Sequence, residues 1–339
     1  MLRVSRSPIV NQSGCPKRRA VTIIAGFRSH QGVVVCADTQ ETIGEIFKHN
    51  VPKLRFEPSG AQAAARRVLG SANDDDLAVA FCGATNNGPY LDMLIDKAWE
   101  AAREAVSLAE ACTLIEESIK DTHQEYGGIY QTGYLPVTEV IYGVKMERDS
   151  KLFYALGPAI TEKTGYICGG QGAYLANFLA KRMHGDGLSI RQCIIIAAYV
   201  LFQAKEHVEG CGGDSHIAVL RNEGTSGRVH WENVEAITKL VENSDKQVGE
   251  ILMQHANLAL TKEQFVEQAR EVIDLMAVLR EHGRQELQQQ KEMWDGIFGI
   301  ALHDEIGLPT PAVPNSSVTD GILDAAEPTA DGETDNPDE

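Results

Sequence analysis

Three residues near the start of the chain carry side chains that together could activate a hydroxyl: Thr22, Asp38 and Lys53. A threonine hydroxyl is a poor nucleophile unless a base takes its proton. A lysine cation beside it favours the alkoxide, and an aspartate paired with that lysine makes the cation less costly to bury. Such chemistry requires three groups far apart in the sequence to meet, so the elements that carry them come next.

Thr22 to Asp38, TIIAGFRSHQGVVVCAD, reads as a β-hairpin. Two short apolar runs rich in β-branched residues flank the polar Ser29, His30 and Gln31. A turn centred on His30 sets Arg28 opposite Gly32, Gly26 opposite Val34 and Thr22 opposite Asp38. Directly opposed residues of an antiparallel pair have Cβ atoms about 4.5–5.5 Å apart. A hydroxyl and a carboxylate therefore meet at the open end of the hairpin. Lys53-Leu54-Arg55-Phe56 is a third apolar segment that could bring Lys53 alongside.

Thr22, the run Gly32-Val-Val-Val-Cys-Ala-Asp38-Thr-Gln-Glu-Thr42 and then Lys53 resemble the opening of a proteasome β-type subunit of the bacterial kind, an N-terminal-nucleophile hydrolase. The resemblance spans roughly residues 20–235 and is strongest over 22–53. It implies an α+β fold, a four-layer αββα sandwich, with a helical extension after it. It implies that Thr22 is the nucleophile once the preceding chain is removed, with its own free α-amine as base and Asp38 and Lys53 as electrostatic partners. An unperturbed α-amine titrates at about 7.7–8.0, so a substantial neutral fraction exists near neutrality. Acyl transfer to Thr22 and hydrolysis by water would then cleave a peptide or amide substrate. The family also implies a homo-oligomer, a ring or stacked ring, that works without a cofactor.

The same resemblance assigns secondary roles. Gly83, at the end of the strand Leu77–Cys82, corresponds to a glycine whose N–H donates to the oxyanion; read without the family it is an ordinary strand-end turn. In Cys168-Gly-Gly-Gln-Gly172, Gln171 stands where the family has a serine that supports the threonine amine. Val208 and Cys211 stand where an aspartate and a serine often complete the site, with Glu209 one position from the acid. Val21 precedes Thr22, where the family usually has Gly and its bacterial relatives Met. These departures support an alternative, a non-catalytic scaffold subunit. A further alternative is an unrelated binding module with a hairpin of similar look.

Composition narrows the class. Of 339 residues, 43% are hydrophobic and 23% charged, a globular balance with room for a sizeable core. The net charge of -17 is uneven: residues 301–339 hold ten Asp/Glu and no Lys/Arg. Such acidity argues against a nucleic-acid partner. The longest apolar run, Cys193–Phe202, suits a buried helix and is too short to span a membrane. Seven cysteines without paired spacing fit a reducing, cytoplasmic setting. His207, Cys211, Asp214 and His216 match no standard zinc spacing, so no metal is expected.

The domain reading is a basic leader over 1–21, an N-terminal-nucleophile domain over 22–235, a helical extension over 236–307 and a disordered acidic tail over 308–339. Within the domain the order is strands, two helices, strands, two helices, strands. Residues 57–76 read as a surface insertion. Gly88-Pro89 opens one helix and Ser107-Leu-Ala-Glu110 another. Val137–Met146, Leu152–Leu156 and Tyr166–Cys168 read as strands of the second sheet. Ser244-Asp-Lys-Gln247 and Thr261-Lys-Glu-Gln264 both have capping-box form, and Phe265, Ala269, Val272, Met276 and Leu279 make an apolar stripe.

Overall fold

The computed structural model describes residues 22–43, 47–58, 77–129, 136–255 and 261–267, with single positions between 270 and 284. The expected leader, nearly all of the insertion at 57–76, the stripe at 265–279 apart from Phe265, and the acidic tail lie outside the described residues. The chain divides into two compact units, Met1–Met253 and Gln254–Glu339.

The hairpin forms from β1 (Ile23–Ser29) and β2 (Gly32–Asp38), with its register one residue from the expected one. Ser29 faces Gly32 and Ile24 faces Ala37, so His30 and Gln31 make a two-residue turn. Continuing that register sets Asp38 level with Ile23, and the direct opposition of Thr22 and Asp38 is corrected accordingly. Two-residue turns follow the strand twist better than a turn centred on one residue. Here Ser29 Oγ accepts the Gln31 N–H at 3.1 Å and donates to the Gly32 carbonyl at 3.1 Å. Gly32 has φ +146°, and a Cβ there would lie 2.0 Å from the Leu220 carbonyl oxygen, so the turn requires glycine.

Both strands are apolar except at their ends, Arg28-Ser29 and Asp38, because both of their faces are buried. Ile24, Val33, Val35 and Ala37 face one core; Ile23, Ala25, Phe27, Val34 and Cys36 face another. The hairpin is central in a five-stranded antiparallel sheet, flanked by β10 (Tyr166–Gly170) on one side and by β11 (Ser215–Arg221) and β12 (Gly227–Arg228) on the other. The second five-stranded antiparallel sheet runs β5 (Leu54–Glu57), β6 (Ala78–Thr85), β7 (Thr138–Met146), β8 (Asp149–Leu156), β9 (Ala159–Lys163). Ile24, Val35, Ala80, Cys82, Ile141 and Leu152 pack between the two sheets.

Each sheet also packs on a helix pair. Val79, Phe81, Tyr142 and Phe153 of the second sheet meet Leu94 and Trp99 of α1 (Gly88–Ala102) and Ile115 and Ile119 of α2 (Leu108–Ile129). The other face of the first sheet meets α3 (Ala173–Met183) and α4 (Ile190–His207). A small two-stranded ribbon, β3 (Gln40–Ile43) and β4 (Phe47–Asn50), follows the hairpin.

Two expectations change. The Tyr166 strand belongs to the first sheet, where Gly170 pairs with Ile23. The second sheet is completed instead by β9, whose mostly exposed residues leave no apolar run to read. Ser244 caps nothing: α5 (Trp231–His255) runs through it, and its hydroxyl bonds back to the Leu240 carbonyl at 2.8 Å. The Thr261 and Gln264 pair does make reciprocal capping bonds, at 3.0 and 3.3 Å. No helix among the described residues is long and apolar enough to cross a membrane.

Candidate active site

Thr22, Asp38 and Lys53 meet at the open end of the hairpin. Thr22 is the last residue before β1, Asp38 the last of β2, and Lys53 immediately precedes β5 of the opposite sheet. Lys53 therefore reaches its partners from the facing layer and not from a neighbouring strand. Its Nζ lies 2.5 Å from Thr22 Oγ1 and 2.8 Å from Asp38 Oδ1, and it also donates to the Gln40 carbonyl. The Thr22 hydroxyl donates to Asp38 Oδ1.

Asp38 is fully buried, a state a carboxylate tolerates only when its charge is paired and its lone pairs are occupied. Four donors do this. The Thr22 hydroxyl, the Lys53 ammonium and the Ile23 N–H (3.3 Å) approach Oδ1; the Gly212 N–H approaches Oδ2 at 2.9 Å. Burial lowers the pKa of Lys53, and the adjacent Asp38 carboxylate opposes that shift.

Thr22 is only 2% exposed, and its main chain is held as firmly as its side chain. The Gly172 N–H donates to the Thr22 carbonyl at 3.1 Å. Gly170 has φ +79°, and a Cβ there would lie 2.4 Å from that same oxygen, so the turn after β10 closes on Thr22 only with glycine at this position. Glu139 of β7 accepts the Gly170 N–H at 3.0 Å and the Tyr154 hydroxyl at 3.0 Å, which ties the turn to the second sheet.

The secondary residues divide. Cys211 is buried beside the site, and burial, with Asp38 adding to it, pushes its thiol up to about 12. It is a protonated thiol near neutrality. Gln171 is exposed on the turn and makes no hydrogen bond to the trio; the Gly172 N–H of that turn is what reaches Thr22. Glu209 is likewise exposed. The Gly83 N–H is already bonded to the Lys53 carbonyl at 3.2 Å. That bond, part of the pairing of β5 with β6, occupies the donor that the expected oxyanion role would use. Gly83 instead helps fix the residue that carries the cation.

Sequence reasoning missed Gly212, Gly172, Gln40 and Thr39. Thr39 Oγ1 accepts the Asp214 N–H at 2.7 Å, and Gln40 N–H donates to the Gly212 carbonyl at 3.0 Å, so the Gly212–Asp214 loop is stitched to the chain just past Asp38. Nearly all these contacts use main-chain groups, which every residue type shares. The paired glycines at 212 and 213 were the one available signal. No cluster of three or more His, Cys, Asp or Glu that could hold a metal occurs among the described residues.

Two antiparallel sheets, each packed on a helix pair, make a mixed α/β fold with a Thr–Asp–Lys cluster at the strand ends. Solved structures similar to it in fold include Anbu proteins. The chain is 13% identical to Anbu (ancestral beta-subunit) from Yersinia bercovieri, over 71% of this chain and 100% of that one, with a TM-score of 0.51. Anbu from Hyphomicrobium sp. strain MC1 is 14% identical over 68% of this chain and 97% of its own, with a TM-score of 0.50. A third, described as the helical assembly of the Anbu complex from Pseudomonas aeruginosa, is 12% identical over 69% and 96%, with a TM-score of 0.54. No family model matches the chain, and no curated protein does. These neighbours correct the resemblance to a bacterial-type proteasome β subunit: the structural likeness is to Anbu, and at such identities it is a likeness of fold.

Proposed function

We propose that the chain is a threonine-type peptide or amide hydrolase whose nucleophile is Thr22, freed as an N-terminal residue by cleavage of the Val21–Thr22 bond. The observation that carries this reading is the Lys53 ammonium 2.5 Å from the Thr22 hydroxyl and 2.8 Å from Asp38. The free α-amine takes the hydroxyl proton, and the Thr22 oxygen attacks the substrate carbonyl. The C–N bond then breaks, and the leaving amine takes the proton from the α-ammonium. Water, deprotonated by the same amine, hydrolyses the ester and restores Thr22. Lys53 favours the developing alkoxide throughout, and Asp38 holds Lys53.

The same proposal takes residues 22–235 as a four-layer N-terminal-nucleophile sandwich, 1–21 as a leader and 236–307 as an added helical segment. It takes the protein to be a homo-oligomer, a reading supported by the helical assembly described for the Pseudomonas Anbu. The described cysteines are all free thiols, which supports a cytoplasmic setting. Mass spectrometry of the purified N-terminus, run beside a fluorogenic peptide assay, tests the function. A chain that starts at Thr22 and is active only while Thr22 is present is the expected result.

A second reading, a non-catalytic scaffold subunit, is favoured by one observation. At the positions where the expected pattern has a supporting serine, Gln171 is exposed and Cys211 is a buried, protonated thiol. Retention of residues 1–21 with no hydrolysis would select it.

A further inference from the structure

Lys205 sits in the last turn of α4 and is half-buried. A basic residue there ordinarily turns to the free carbonyls of its own helix end. This one reaches forward instead, past Val208, whose N–H donates to the Ala204 carbonyl at 2.9 Å. The Lys205 ammonium donates to the Gly213 carbonyl at 3.0 Å. Burial lowers its pKa, and the Asp214 and Asp38 carboxylates, with Glu206 of its own helix, oppose that shift.

The loop it grips is the one that completes the shell of Asp38. Gly212 donates its N–H to Asp38 Oδ2 at 2.9 Å, and its carbonyl accepts the Gln40 N–H at 3.0 Å. The Asp214 N–H goes to Thr39 Oγ1 at 2.7 Å. Thr39 and Gln40 directly follow Asp38 in the chain, so these two tethers move with it. Lys205 is a tether from another layer, the helix pair, and it alone of the three brings a charge. Thr22 and Lys53 occupy Asp38 Oδ1, so the Gly212 N–H on Oδ2 is what fixes the rotation of the carboxylate.

We propose that Lys205 is a positioning residue for the Thr22 reaction, holding Gly213 so that the Gly212 N–H fixes Asp38 and, through it, Lys53. Its charge acts on the same groups. A second cation near Asp38 disfavours a proton on the Thr22 α-amine, which must be neutral to serve as base, and on Lys53. The charged groups that face the two lysines are Asp38, Glu41, Glu206 and Asp214, and the Cys211 thiol between them is neutral. Lys205 thereby extends activity to lower pH. The inference rests on the threonine-hydrolase reading above and adds the residue that sets where on the pH scale it operates.

The test is the pH profile of kcat on a fluorogenic peptide, measured on protein expressed as the full chain for wild type, Lys205→Met and Lys205→Arg. Lys205→Met should lower kcat by up to about 10²-fold, the cost of a misplacement on the order of 1 Å in a positioned group. Both limbs of its profile should move to higher pH, because losing a cation raises the pKa of the amine on the acid side and of Lys53 on the alkaline side. Lys205→Arg keeps the charge and the donors and should restore the wild-type profile. If Lys205→Met does not fold, Lys205→Gln, neutral but polar, carries the same expectation. A wild type without hydrolysis overturns the hydrolase reading and this inference together. An active wild type whose neutral variant keeps the profile in place, whatever its kcat, overturns this inference alone, because the lysine then only anchors a loop. A displaced profile that Lys205→Arg fails to restore also overturns it, since the change then comes from a rearranged site and not from the lost charge.

Discussion

Two polar clusters are buried to the same degree and differ in what they can do. At the hairpin end, Thr22 is 2% and Asp38 0% exposed. Beneath the other sheet, Tyr90 is 2% and His123 4% exposed, with the Tyr90 hydroxyl 2.6 Å from His123 Nδ1. The second cluster joins two helices through neutral groups. The Tyr90 and Tyr126 rings are tilted against each other at 4.3 Å between centroids, and Asn87 Nδ2 donates to the Tyr126 hydroxyl at 3.1 Å. Burial pushes the Tyr90 phenol up to about 12 and the His123 pKa down, so both stay uncharged near neutrality. The first cluster keeps a cation and an anion in contact beside a hydroxyl. Burial alone therefore does not mark a site; retained charge next to a potential nucleophile does.

The largest expected effect breaks the first cluster at its hydroxyl. Thr22→Ala should abolish hydrolysis of fluorogenic peptides while leaving the fold intact, because the loss is one hydroxyl that donates to an already well-satisfied carboxylate. Activity that survives the change would remove Thr22 from the mechanism. Asp38→Ala should cost about 3–5 kcal/mol in urea unfolding, the usual penalty for stranding a buried charge, here the Lys53 ammonium. Lys53→Met should lower kcat by about 10²–10³, comparable to deleting one preorganised donor at an oxyanion. A small kcat loss with a large KM change would mean that Lys53 binds substrate instead of stabilising charge.

How much of this was legible in the sequence follows from which atoms do the work. The hairpin, the two helix pairs and the meeting of Thr22, Asp38 and Lys53 were readable from side-chain types and apolar runs. The route was only partly right. The register was off by one because turn type depends on Ser29 and Gly32 backbone bonds that no hydrophobic pattern reports. Lys53 arrives from the facing sheet, since β5 pairs with β6. The groups that hold the trio, the N–H of Gly212 and Gly172 and the carbonyl of Gln40, carry no residue signature at all. Gly83 shows the converse: a residue with a plausible signature has its donor occupied by the sheet.

The helical cluster offers smaller and cleaner tests. Tyr90→Phe removes the hydroxyl bonded to His123 and should destabilise the fold by about 1–3 kcal/mol, the cost of leaving a buried polar group unpaired. Peptidase activity per folded molecule should not move. A fall in kcat would show that the two clusters are coupled, and the contrast drawn between them would fail.

The smallest effect is a pH dependence carried by His123. Its folded pKa lies below the ordinary value, chiefly through burial, against a bond to the Gly157 backbone that raises it. The unfolded chain takes up a proton as pH falls through about 6.5. The folded chain does not until its own lower pKa is reached. Between those two points the unfolded state binds more protons, so stability declines as pH falls, and it levels off below the folded pKa. The groups that meet the ring are the Tyr90 phenol and the Gly157 backbone, neither of which ionises in that window. His123→Gln removes the titration and keeps an amide able to meet the Tyr90 hydroxyl. Wild type should exceed this variant in melting temperature by less at pH 5 than at pH 8. His216 is also shifted downward by burial, but it is present in both proteins and cancels in the difference. A wild-type-minus-variant difference that stays flat across that range would mean that His123 is not held neutral by the fold, and the helical cluster would then carry charge as the hairpin cluster does.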